Sequence, residues 1–304
     1  MNSVLTIGLA PTFQKVLVFP SLKENEVNRC TSHTCTASGK AVNVTRVLAR
    51  LGRPAVNITQ LGGPRTEEFL TLADKEGIDI RYFLTSSPIR TCTTLINEEN
   101  GTSTELVEEA SPVDDTASGK LFSLFEEEIG KHGAVVISGT KAKGYSDTLI
   151  PSFVKRSAEE GKLVVLDIKG KDLVESLPFR PSVIKPNLPE FCSTFSIANT
   201  VLEEDENEAL RGNVEEKMRE LYEKYGVMTV ISRGKYPTWL FDGKEFSAVE
   251  NTLSLPVVNT IGCGDTLTGV MTHHLLSGMS LEEAVREGMM AAERKAGRMT
   301  FDFL

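Results

Sequence analysis

Hydrophobic positions recur with two alternating periods along this chain, and the alternation predicts its architecture. Val4 to Leu9 is a short apolar run of strand type. Lys40 to Leu51 carries apolar residues at helical spacing and stops at Gly52, a residue suited to a helix end. Val56 to Leu61 is the next strand, closed by Gly62-Gly63, and Glu67 to Glu76 is a helix ending at Gly77. Ala134 to Ile137, Leu163 to Ile168 and Val227 to Ile231 are nearly continuous apolar runs, as expected of strands buried on both faces of a parallel sheet. Helical stretches lie between them at Lys120–Gly130, Tyr145–Gly161 and Val214–Tyr225. This rhythm predicts a doubly wound α/β sheet with right-handed crossovers. Two stretches break it. Lys15 to Cys35 and Thr91 to Glu108 alternate Val, Thr and polar residues without a helix, and predict a small sheet set apart from the main core. Glu203 to Glu206 reads as a solvated loop or helix start.

Composition narrows the class. With 304 residues, 40% hydrophobic and 25% charged, the chain has enough apolar material for a core without disulfides or metals. A net charge of −9 argues against a nucleic-acid footprint, which needs clustered excess Lys and Arg. The five cysteines (Cys30, Cys35, Cys92, Cys192 and Cys263) form no C-x-x-C pair and imply neither a zinc site nor a disulfide framework. No basic leader or apolar stretch of about 20 residues is present. A reduced, cytoplasmic protein with no membrane and no nucleic-acid partner is the expectation.

The candidate chemistry lies near the C-terminus. An apolar strand, Leu255 to Ile261, is expected to lead into the turn Gly262-Cys263-Gly264-Asp265 and a helix beginning at or just after Asp265. The bare amides and dipole of a helix start suit an anion, and the glycines allow close approach of a ligand to the backbone. A carboxylate at such a point has two readings: a general base that takes a proton from an attacking hydroxyl, or an N-cap. The next helix shows a purely structural start, the capping box Ser280-Leu281-Glu282-Glu283.

With these residues in view, the chain resembles the ribokinase-like phosphofructokinase B carbohydrate kinases, nearest the 1-phosphofructokinase and tagatose-6-phosphate kinase branch. Three motifs in register carry the resemblance: Ser38-Gly39-Lys40-Ala41-Val42-Asn43-Val44 running to Gly52, Lys185-Pro186-Asn187-Leu188-Pro189-Glu190, and Gly262-Cys263-Gly264-Asp265. Ser232-Arg233-Gly234 matches a strand-end S-x-G of the nucleotide site. The resemblance implies a three-layer α/β/α fold with a central, mostly parallel sheet and a β-sheet lid. The core would hold residues 1–14, 36–88 and 110–304, and the lid 15–35 and 89–109. Asp265 would be the base, the amides of Gly262, Cys263 and Gly264 the anion hole, and Lys185 a point charge on the ATP phosphates. Asn187 and Glu190 would hold Mg²⁺ through water, with Ser232 and Gly234 lining the nucleotide. Gln14, Arg29, Ser38, Gly39, Lys40, Asn43, Arg90 and Ser138 would meet the acceptor, a sugar or sugar phosphate, and the lid would pair two subunits.

Alternatives stay open at this level. Asn187 and Glu190 also fit a turn and helix cap, and Arg29 and Arg90 also fit solvated faces. Three departures concern the sugar end. Gln14 stands where the family has an aspartate, Ser38 and Ala41 replace glycines, and Thr140-Lys141-Ala142-Lys143 follows Ser138-Gly139, with the lysines read as solvated. They keep alive a kinase of an unphosphorylated sugar or nucleoside, and a silent sugar- or nucleotide-binding regulator. A dinucleotide-dependent oxidoreductase is excluded, because no G-x-G-x-x-G follows the first strand.

Overall fold

Short apolar strands and amphipathic helices do alternate, and a computed structural model describes residues 2–298 apart from positions 199, 206, 253 and 254. The main sheet is built from β1 (Val4–Ile7), β4 (Ala55–Gly62), β5 (Asp79–Thr85), β8 (Ala134–Ser138), β9 (Leu163–Asp167), β10 (Val183–Ile184), β11 (Met228–Arg233), β12 (Tyr236–Phe241) and β13 (Phe246–Val249). Their order is β13-β12-β11-β10-β9-β8-β1-β4-β5. The pairs from β11 to β5 are parallel, and the β11-β12-β13 edge is antiparallel. Strand order reverses between β1 and β8, a topological switch point where such sheets open a crevice at their carboxyl ends.

The strands are buried on both faces because their alternate residues feed two cores. Val135 and Ile137 of β8 join a core with Leu121 and Phe125 of α3 (Ala117–Ile129), Phe153 of α4 (Leu149–Glu159), Leu173 of α5 (Gly170–Ser176), Phe191 of α6 (Leu188–Thr194) and Met218 of α7 (Glu208–Tyr225). Ala134 and Val136 face the other way. They pack with Val44 and Leu48 of α1 (Lys40–Arg50), Leu267 and Met271 of α8 (Cys263–Leu276), and Val285 and Met289 of α9 (Leu281–Ala296). The three layers implied by the resemblance are thus present.

The small separate sheet is present too, in the order β3-β2-β6-β7: β2 (Thr12–Phe19), β3 (Ser32–Ser38), β6 (Arg90–Asn97) and β7 (Thr102–Val107). It is tied to the core through Phe13 and Ala37, which pack on Phe69 and Ala73 of α2 (Thr66–Lys75).

Four local expectations are corrected. The Tyr145–Gly161 helix starts only at Leu149, because the Tyr145 hydroxyl is spent on Gln60 (2.7 Å) and Ser146 Oγ accepts the Thr148 N–H, holding a turn. Leu255 to Ile261 is no strand: the N–H groups of Val258 and Asn259 donate to the Ala296 carbonyl of α9 (2.7 and 3.0 Å) instead of to a sheet. The helix at Gly262 begins at Cys263 rather than at Asp265. Lys141 is not solvated, since its ammonium bonds Asp172 (2.8 Å) and the Ser146 carbonyl (3.2 Å). Of the acidic run, Glu203 to Asp205 is loop and turn, and Glu206 lies outside the described residues.

Candidate active site

At the switch point a cavity of about 120 Å³ opens beyond the ends of β1 and β8. Gly8, Leu9, Ala10 and Pro11 follow β1, Ser138, Gly139 and Thr140 end β8, and Gly39 to Val42 start α1; Thr59 and Arg90 complete the lining. Gly39 has φ +120, a conformation that L side chains rarely adopt, and a Cβ there would stand 3.4 Å from the Ala10 carbonyl oxygen. That close approach aims the amino end of α1 at the cavity.

Beside the cavity lies a buried network of charges. Asp167, at the last position of β9 and 2% exposed, sits 3.5 Å from both Lys40 Nζ and Lys185 Nζ. Its other oxygen accepts from Ser138 Oγ and Thr268 Oγ1, each at 3.2 Å. Burial pushes this carboxyl up, but Lys185, Lys40 and the two hydroxyls outweigh burial and hold it below the ordinary value. Lys40 is raised, chiefly by Asp167, and its side chain is 44% exposed at the cavity; Lys185 is enclosed.

Asp265 occupies the third position of α8 and is 6% exposed. The N-cap is Gly262 at φ 80, with no side-chain cap bond, so Asp265 does not serve as the cap. Its Oδ2 accepts from Asn43 Nδ2 at 2.7 Å. Asn43 is oriented in turn, because its Oδ1 accepts from Ser38 Oγ (3.0 Å) and from buried Arg46, which is itself paired with Glu76. Burial raises the Asp265 carboxyl to about 6; Lys40 and the Asn43 bond oppose the rise, and Asp167 adds to it. Within the turn the Cys263 N–H already donates to the Thr260 carbonyl (3.2 Å), so Gly264 and Asp265 are the amides best placed for an anion. A Cβ on Gly264 would stand 4.0 Å from Lys185 Nζ, which brings that ammonium to the same turn.

Asn187 and Glu190 form a capping box on α6, so the cap reading describes their geometry. Asn187 Oδ1 and Glu190 Oε2 are engaged in it, and Glu190 Oε1 lies 3.3 Å from Lys169 Nζ. Among the described residues no three His, Cys, Asp or Glu side chains gather as a metal cluster. With one Glu190 oxygen in the cap and the other beside Lys169, this pair suits Mg²⁺ held mainly by water and phosphate, and not a dedicated protein cage. Asn187 pairs in a β-bridge with Ser232, so the two motifs meet at adjacent strand ends, with Gly234 at φ +58 just beyond. Glu203 lies against Gly234, and burial and Glu190 raise its carboxyl.

The sugar-end candidates divide. Arg90 lines the cavity, with Nη1 donating to the Glu108 carbonyl (2.9 Å). Gln14 lies in the small sheet, 6% exposed, donating to Thr94 Oγ1 (2.8 Å), outside the cavity lining. Arg29 is exposed on the β2–β3 connection and does not line the cavity. Sequence reading missed Asp167, Thr268 and Arg46. For Asp167 a signal existed, a lone carboxylate closing the apolar strand Leu163 to Leu166.

A family model described as pfkB family carbohydrate kinase matches residues 1–299. Among solved structures, a Thermotoga maritima protein described as a possible 1-phosphofructokinase shares 19% identity, with TM-score 0.87 over 99% of this chain and 94% of its own. Phosphofructokinase-2 from Escherichia coli in complex with fructose-6-phosphate shares 22% identity, with TM-score 0.84 over 97% of this chain and 94% of its own.

Proposed function

The chain belongs to the pfkB family of carbohydrate kinases, and from that membership and the site geometry we propose an ATP-dependent kinase that phosphorylates a hydroxyl of a sugar phosphate, of fructose-1-phosphate or tagatose-6-phosphate type. The observation that carries this reading is Asp265. It is a buried carboxylate with a raised pKa at a helix start, held by Asn43 and excluded from capping. A group titrating near 6 is ionised at neutral pH yet still basic enough to take a hydroxyl proton.

In this reading Asp265 takes the acceptor's proton as its oxygen attacks the γ-phosphorus of ATP. The amides of Gly264 and Asp265 receive the transferred group, and Lys185 adds charge from the Asp167 side. Mg²⁺ on the phosphates would neutralise charge and would be met by Glu190, with Asn187 behind it, through water. Ser232 and Gly234 would line the nucleotide. Ser38, Gly39, Lys40, Ser138 and Arg90 would face the acceptor. Residues 15–35 and 89–109 act as the lid, excluding water, and its outer strand, where Leu106 and Val107 are each 53% exposed, is the face that would pair two subunits. Among the described residues no helix is long and apolar enough to cross a membrane.

Arg90 carries the phosphate on the acceptor in this reading, since its guanidinium fork matches phosphate oxygens and it lines the cavity. The test is ADP production with Mg-ATP across free and phosphorylated ketohexoses. Phosphorylated acceptors are expected to win, and Arg90→Ala to raise their KM by about 10–100-fold, the loss of one charge-assisted contact. A preference for free sugars with an Arg90-independent KM would instead establish the unphosphorylated acceptor, a reading that the absence of Arg29 from the cavity lining favours.

A further inference from the structure

Arg46 is a buried charge to which the reaction as read so far gives no part. It lies in the middle of α1, 1% exposed and among the largest fully buried side chains of the molecule. Arginine is almost never fully buried unless it is paired. The pair here is Glu76, the residue closing α2, with Nε 2.6 Å from Oε2 and Nη2 3.2 Å from Oε1. The same guanidinium reaches two further groups. Nη2 donates to the Ala37 carbonyl of β3, and Nη1 donates to Asn43 Oδ1, one turn back on the same face of α1. Asn43 Nδ2 in turn donates to Asp265 Oδ2 at 2.7 Å. This chain of bonds has a direction. A guanidinium carries donors only, so the Asn43 oxygen must face Arg46 and the amide NH₂ must face Asp265. Ser38 Oγ also meets Asn43 Oδ1, at 3.0 Å, but a hydroxyl donates or accepts and would follow the amide either way round. Of these two neighbours, Arg46 is the one that decides which end of the amide Asp265 meets.

We propose that Arg46 is a positioning residue for phosphoryl transfer, whose donor-only guanidinium locks the Asn43 amide in the one orientation that offers Asp265 a hydrogen-bond donor. The inference rests on the reading of Asp265 as the base. A protonated Asp265 could itself donate to the amide oxygen if Asn43 turned over, and that pair would hold the base in its unreactive form. Turning over would set the amide NH₂ against the Arg46 guanidinium, two donors facing each other in a buried site, so Arg46 closes that alternative. Other charges bear on Asp265 from the elements around it. Lys40 and Lys185 favour its ionised form, Asp167 opposes it, and its charge is felt at the Cys263 thiol. Arg46 shares Glu76 with Arg50 (3.7 Å) and also interacts with Asp265 through space. That direct effect and the relay separate by whether Arg46 still matters once the Asn43 amide is gone.

The experiment is a double-mutant cycle on kcat and its pH dependence, with the wild type, Arg46→Met, Asn43→Ala and the double variant. Arg46→Met should lose about 10–100-fold in kcat, the usual cost of removing an outer partner of a reacting group. The acid limb of its kcat should move up by about one pH unit, because the donor to the ionised carboxylate is no longer secured. In the Asn43→Ala background the same change should cost no more than about twofold and leave the limb where it was. Arg46→Lys, donor-only as arginine is, should recover about tenfold of the loss, and Arg46→Gln, whose amide can turn either way, should not. An unaltered kcat and limb in Arg46→Met, or an equal loss in both backgrounds, would overturn the proposal. So would equal rates in Arg46→Lys and Arg46→Gln, a comparison that stands even where Arg46→Met does not fold. Full activity of Asp265→Asn in the same assay would fell the underlying reading; a disabled Asp265→Asn beside an unaffected Arg46→Met would remove this inference alone.

Discussion

Asp265→Asn is expected to lower kcat by about 10²–10⁴-fold with little change in ATP affinity, and to raise thermal stability at neutral pH. The first effect is the usual contribution of a positioned general base. An asparagine retains the size of the side chain and can still bond Asn43, so the turn should keep its shape. The second effect follows from linkage. The folded-state pKa is raised, by burial first, from 3.8 to about 6. A carboxyl shifted upward favours folding in its protonated form, a contribution present below about pH 4 and lost as pH rises through 6. At pH 7 the ionised carboxylate therefore costs the fold on the order of 1–3 kcal/mol, which the amide does not. Thermal melts and kinetics on the same variant read both effects. A variant that is fully active, or clearly less stable at pH 7, would make Asp265 a structural residue.

Asp167→Ala carries the other large effect, with the opposite sign in stability. This carboxylate is the shared counter-charge of Lys40 and Lys185, and it accepts from Ser138 and Thr268 as well. Removing it leaves Lys185, 2% exposed, without that partner, and breaking a buried pair in this way costs about 3–5 kcal/mol. The folded pKa of Asp167 is lowered, so its contribution is present above the unfolded value and is lost as pH falls through the folded one. Denaturant melts should show the deficit of Asp167→Ala near neutrality shrinking toward strongly acid pH. An undiminished stability at pH 7 would mean that the ion cluster contributes nothing net. Activity should fall as well, because Lys40 and Lys185 lose the group that holds them beside the turn.

The core layers were legible because buried parallel strands leave nearly unbroken apolar runs, as at Ala134–Ile137 and Leu163–Leu166, and because Gly52 and Gly77 mark helix ends plainly. Strand β10, two residues long, leaves no periodic signal. Strand β12 contains Pro237 and lies next to the edge, and the proline masks a strand signal that Tyr236, Thr238, Trp239 and Phe241 otherwise carry. Leu255 to Ile261 misled for a converse reason: an apolar run was satisfied by a helix end and not by a sheet. At the site, motifs spaced far apart in sequence converge, as Asn43 does on Asp265 across 222 positions. Asp167 was marked only as the lone carboxylate closing an apolar strand, a weaker signal than a spaced motif, and Gln14 sits in the small sheet because β2 begins as early as Thr12. What spacing cannot convey is which oxygen is already engaged, and that is where Asn187 and Glu190 proved to be a cap as well as candidates for the metal.

The claim that Asp265 is held ready as a base is tested most directly by the pH dependence of kcat with the best acceptor at saturating Mg-ATP. The account predicts a rate that is level above pH 7 and falls about tenfold per pH unit below about 6, where the buried carboxyl takes up its proton. A kcat that stays flat from about pH 8 down to about pH 5 would contradict it.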